Sequence, residues 1–141
     1  MLQFELTEEQ RQMMDTVSRV RKDVIEPNAK KWLDGTFPYE NMEKLGEIGI
    51  LGMSVPEEYG GMGASVLDTV LVLEEIAKGC YVTAMAVLGE VGTQCRILSH
   101  YGSDELKEKY LPRLLEGKCI LAICMTEPDC GTDLGNMKTN C

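Results

Sequence analysis

The side chains that could do chemistry are few and scattered. Six cysteines (Cys80, Cys95, Cys119, Cys124, Cys130 and Cys141) include no Cys-x-x-Cys pair, and several sit inside apolar runs. Reduced thiols in such runs pack as small hydrophobes, so structural thiols are expected rather than a metal or redox centre. His100 is the only histidine, which leaves a metal cluster or a nucleophile-activating triad without a second imidazole. Residues 89–94, Gly-Glu-Val-Gly-Thr-Gln, set Glu90, Thr93 and Gln94 at spacings of three and four, on one face of a helix. Residues 126–135, Thr-Glu-Pro-Asp-Cys-Gly-Thr-Asp-Leu-Gly, read as a loop. Its acids Glu127 and Asp133 suit loop formation and capping better than catalysis, and Asp129 and Cys130 are expected to be solvated.

The composition excludes several partners. A formal net charge of -9, with Lys and Arg interspersed among acids, gives no surface that tracks phosphates and no anionic-lipid patch, so neither nucleic acid nor membrane insertion is expected. The opening residues 1–9 have no basic and apolar leader pattern, and no apolar run approaches the roughly 20 residues of a bilayer span. A cytoplasmic protein is expected.

Helical periodicity dominates the chain that must position these groups. Thr7 and Gln10 form a capping box, and Met13, Val17, Val20 and Val24 make an apolar stripe over about residues 7–24. Pro27 ends or kinks that helix, with the pattern resuming over about 29–33. A short helix spans 39–48, stopped by Gly49, and residues 50–55 read as extended and apolar before a Gly-rich loop. Residues 65–80 form an amphipathic helix. Residues 81–101 carry only Glu90 and Arg96 as charges and read as a buried central helix. Ser103 caps a last helix that Gly117 ends. Residues 119–125, Cys-Ile-Leu-Ala-Ile-Cys-Met, read as a buried strand. The fold class is therefore all-α, an up-and-down bundle of five to six helices. Residues 1–117 form the helical domain, and 118–141 begin an incomplete β-domain with one strand and a loop. A lone strand cannot satisfy its own backbone, so its partners lie outside the chain.

The string Met125-Thr-Glu-Pro-Asp-Cys-Gly-Thr-Asp133 closely resembles the flavin-binding signature of acyl-CoA dehydrogenases, Thr-Glu-Pro, two variable residues, then Gly-Ser-Asp. Pro56-Glu-Glu-Tyr-Gly-Gly61 and Tyr101-Gly-Ser-x-Glu-x-Lys-x-x-Tyr-Leu-Pro112 are similar to stretches of the same family, in the same order, and the resemblance covers essentially the whole chain. It implies FAD as cofactor, contacted by Ile123, Met125, Thr126, Gly131 and Thr132. A planar polar ring needs N–H groups and a small hydroxyl at its edge with no bulk between them. Thr132 stands where the family usually has serine, keeps the hydroxyl, and is implied to serve the thioester substrate as well. The resemblance also puts Glu90 on the helix that walls the acyl pocket, as a candidate substrate contact. The competing reading turns that face to solvent or to an adjoining domain. Ala84 and its neighbours offer no match to the arginine with which glutaryl-type members hold a distal carboxylate, so dicarboxylic specificity is not supported.

In the family a carboxylate base takes an α-proton from an acyl-CoA thioester while the β-hydrogen leaves as hydride to FAD, and an electron-transfer flavoprotein accepts the electrons. The base comes from a C-terminal helical domain beyond residue 141, so this chain alone is expected to be inactive, to hold little flavin, and to contribute no catalytic residue of its own. Unpaired apolar residues 120–125 are expected to drive self-association, consistent with a homo-oligomer. The alternative is a non-enzymatic helical interaction module derived from the same fold.

Overall fold

The computed structural model describes residues 5–140, so residues 1–4, where the leader pattern was sought, and Cys141 lie outside it. Seven α-helical segments form five rods: α1 (Glu8–Val20) with α2 (Glu26–Asn28), α3 (Tyr39–Glu47), α4 (Val66–Gly79), α5 (Tyr81–Gly89) with α6 (Cys95–Tyr101), and α7 (Asp104–Leu115). The all-α class and helix number expected from periodicity are both found.

The rods begin where side chains can replace missing backbone partners. Thr7 Oγ1 accepts from the Gln10 N–H at 3.1 Å and Gln10 Oε1 accepts from the Thr7 N–H at 3.0 Å. Ser65 and Asp68 repeat the device at α4. Gln10 Nε2 then donates to Asp68 Oδ1 at 2.7 Å, tying the two helix starts together. The first rod does not break at Pro27. The five residues Arg21–Ile25 adopt the wider π-helical turn, and the Glu26 N–H donates to the Arg21 carbonyl, so the register has already changed before the proline withholds its N–H.

Residues 50–55 correct the sequence reading. They are not extended: Ile50–Gly52 is a 3-10 turn, and Ile50, Leu51, Met53 and Val55 are all 2% exposed or less. With no strand alongside, the backbone satisfies itself locally and through the following loop, where the Ala64 N–H donates to the Met53 carbonyl at 2.7 Å. Gly61 lies so close that a Cβ there would stand 2.0 Å from the Val55 oxygen, so only glycine fits.

The main core joins Val17, Met42, Leu45, Val72, Ile76 and Val87 from the first four rods. A second, smaller core of Val55, Cys95, Leu111 and Leu114 lies under α6 and α7, with Cys119 and Leu121 packed on it. The 81–101 rod is not buried all round. Thr83, Ala84, Val87 and Val91 face inward, while Tyr81, Met85 and Leu88 are 70%, 46% and 42% exposed, beside exposed Val70 on α4. No helix of the described residues is long and apolar enough to cross a membrane.

Candidate functional site

The 119–125 run is not a buried strand. Among the described residues its only ladder-like contact lies further on, an isolated bridge between Glu127 and Cys130, and Ile123 and Met125 are 39% and 45% exposed. The physical reason is the one that makes a lone strand untenable: neighbouring strands would be needed to cover both faces and pair the backbone. Only the first part is held down, where Cys119 and Leu121 pack on the smaller core and Ile120 on the larger. From residue 122 to 126 the backbone makes no hydrogen bond within the described residues.

The loop that follows is organised by its own polar groups. The Glu127 N–H donates to the Cys130 carbonyl at 2.8 Å, and the Glu127 carboxylate accepts the N–H groups of Lys138 and Thr139, both at 2.9 Å. The Thr139 hydroxyl first, then the Lys138 and Thr139 N–H groups, hold the Glu127 carboxyl below the usual range, which fits a fastener and not an acid. Cys130 is 5% exposed and donates its thiol to the Asp133 carbonyl, so it plugs the loop where a solvated residue was expected. Thr126, Gly131 and Thr132 remain on the surface. A Cβ placed on Gly131 would meet nothing within 4 Å, so none of the described residues fills the space beside it.

Glu90 and Gln94 end up somewhere the sequence did not signal. They lie on a second π-helical stretch, Glu90–Gln94, between α5 and α6. The wider turn separates the three residues expected on one face: Thr93 is exposed, whereas Glu90 is 3% exposed. Glu90 Oε1 accepts the Leu121 N–H at 3.0 Å, Oε2 lies 3.9 Å from the Cys95 thiol, and Gln94 Nε2 donates to the Leu121 carbonyl at 3.3 Å. Burial pushes the Glu90 carboxyl up to about 7, against the smaller opposite pull of its two donors. Burial likewise pushes the Cys95 thiol up to about 12, so it stays neutral. His100 is exposed, its Nδ1 2.9 Å from the Arg96 carbonyl, and no group of three potential metal ligands occurs among the described residues.

The residues expected along a flavin fit one. Residues 122–126 offer N–H donors unpaired among the described residues, and the exposed hydroxyls of Thr126 and Thr132 and the open Gly131 lie with them.

The profile of the acyl-CoA dehydrogenase N-terminal domain matches residues 7–118. Probable acyl-CoA dehydrogenase YngJ of Bacillus subtilis (strain 168) is 34% identical over 140 residues, covering 98% of this chain and 37% of its own length. The structure of glutaryl-coenzyme A dehydrogenase with glutaryl-CoA matches with a TM-score of 0.85 at 34% identity, over 96% of this chain and 36% of that one. The FAD complex of PigA matches with a TM-score of 0.85 at 30% identity, over 97% and 37%. The chain belongs to the acyl-CoA dehydrogenase family, and spans little more than a third of the relatives it matches.

Proposed function

We propose that this chain is the front part of an FAD-dependent enzyme that introduces an α,β double bond into an acyl-CoA thioester. Residues 1–117 serve as the helical wall and 118–141 as the start of the flavin-binding β-domain. The observation that carries the reading is the exposed tail: a segment with unpaired backbone donors among the described residues that runs directly into the Thr-Glu-Pro loop. FAD, when bound, supplies the hydride acceptor. This chain's share is binding and orientation. The N–H groups around Ile123 and Met125 and the hydroxyl of Thr126 line the ring edge, Gly131 leaves room for close approach, and the Thr132 hydroxyl serves both cofactor and thioester. The base that takes the α-proton, and the site for an electron-transfer flavoprotein acceptor, belong to the remaining part of the molecule. The exposed apolar patch of Val70, Tyr81, Met85 and Leu88 supports a larger assembly.

The first test is the gene beyond the codon for Cys141. About 240 further residues with a flavin sheet and a carboxylate-bearing helix support the enzyme, since a sheet domain and a second helical domain need about that much chain. A stop codon there removes the enzyme and favours a helical interaction module. Absorbance of the two purified proteins then reads flavin directly: bound FAD in the longer protein and little in this chain is the expected pair. Light scattering of the same samples checks self-association, and a monomer at high concentration would refute it.

A further inference from the structure

Two side chains from one π-helical turn hold a single residue of the tail at both of its backbone polar groups. Glu90 takes the Leu121 N–H and Gln94 gives to the Leu121 carbonyl, as a neighbouring β-strand would. The Leu121 side chain itself rests on the smaller core, and beyond it the backbone has no further partner through residue 126 among the described residues. Leu121 is thus the last fixed point before the segment assigned to the flavin.

Resting on that assignment, we propose that Glu90 and Gln94 are positioning residues, which fix Leu121 and thereby set where residues 122–126 leave the helical body. The choice of side chain supports a dedicated role. A buried carboxylate without a cation costs free energy that a leucine of similar size would not, and no Lys or Arg pairs with Glu90 among the described residues. Its raised carboxyl, near 7, reflects that cost. Gly89 contributes as well. A Cβ there would lie 3.2 Å from Gln94 Nε2, so glycine leaves the amide the room it needs to reach Leu121. Gln94 Oε1 is itself buried without a partner, so the amide is oriented by its bond to the tail and not by a network of its own.

Amide hydrogen exchange on the 141-residue chain tests the clamp without any flavin present. Replacing Glu90→Leu or Gln94→Leu should speed exchange in peptides covering residues 117–125 roughly fivefold to tenfold, the size of one lost hydrogen bond, while peptides from α1 and α4 keep their rates. Glu90→Gln retains a carbonyl acceptor for the Leu121 N–H and should keep the tail within about twofold of the parent. Unchanged tail exchange in Glu90→Leu, or acceleration by Glu90→Gln as great as by Glu90→Leu, would overturn the proposal. So would a uniform acceleration of all helices. A longer protein found free of FAD would remove the flavin assignment and leave this result standing, so the two claims fail separately.

Discussion

Two glutamates, Glu75 and Glu90, are almost equally withdrawn from water, at 7% and 3% exposure, and are treated in opposite ways. Glu75 sits on α4 facing the first rod, where Arg21 Nε stands 2.9 Å from one oxygen and Lys78 Nζ 2.8 Å from the other, and Arg21 also reaches Glu26. Lys78 first, then Arg21, hold its carboxyl down to about 2 in spite of burial. Glu90 has only a backbone N–H and a neutral thiol, and burial wins. The body of the domain closes its charge within itself. The junction with the tail leaves a charge to be answered by neutral donors, a costlier arrangement that makes sense where a backbone has to be held and no strand is there to hold it.

The pH dependence of the two should therefore run in opposite directions. The Glu75 carboxyl lies below its ordinary 4.5, so its contribution is present above that pH and is lost as pH falls through about 2. The Glu90 carboxyl lies above 4.5, so the stability it contributes is full below that pH and is lost as pH rises through about 7. Urea unfolding separates the two. At pH 7, Glu75→Ala should cost about 3 kcal/mol, because Arg21 keeps most of its burial and loses a partner. A cost below about 1 kcal/mol would place the pair with ordinary surface ion pairs and erase the contrast. Glu90→Gln should have the opposite sign and a smaller size, nearly neutral at pH 5 and stabilising at pH 8 by on the order of 2 kcal/mol. The Cys95 thiol, pushed up to about 12, does not titrate in that window. An equal difference between Glu90→Gln and its parent at both pH values would show that Glu90 does not titrate between them.

Much of the body was legible in the sequence because local rules decide it. Thr7 with Gln10, Ser65 and Ser103 mark helix starts that the structure keeps, and Met13, Val17 and Val20 of the first apolar stripe pack on the main core as expected, whereas Leu67 and Val70 of α4 stay exposed. The errors fall where a partner decides. Residues 50–55 and 119–125 are both short apolar runs, indistinguishable by periodicity. The first became a turn with all its apolar side chains buried because the surrounding helices and the 60–64 loop enclose it. The second stays half open because none of the described residues covers it. The Thr-Glu-Pro loop could be assigned only by resemblance, since threonine hydroxyls and an open glycine signal no ligand by type alone. The Glu90–Leu121 contact joins residues 31 apart through a π-helical turn, and α-helical spacing placed Thr93 beside Glu90, where the structure turns it outward. An uncharged stretch broken by one glutamate was the available signal, and its meaning depended on where the tail returned.

The finest distinction between body and junction lies in Gly89→Ala. For the body this substitution is favourable, because a helical glycine gives up as much as about 1 kcal/mol of propensity relative to alanine. For the junction it is not. The new methyl would stand 3.2 Å from Gln94 Nε2 and 3.4 Å from Oε1, both at the tip of a flexible side chain, so the amide yields by a few tenths of an ångström and the fold does not. The bond from Nε2 to the Leu121 carbonyl is already 3.3 Å long, and a displacement of that size takes it beyond useful geometry. Unfolding free energy should therefore stay within about 0.5 kcal/mol of the parent, the propensity gain offsetting the lost bond, while amide exchange over residues 117–125 rises about twofold. If exchange there is unchanged, Glu90 alone suffices to hold Leu121 and Gln94 is a bystander. If global stability falls while the tail keeps its protection, Gly89 serves the packing of the rod, and the separation drawn here between a self-contained body and a clamped junction does not extend to it.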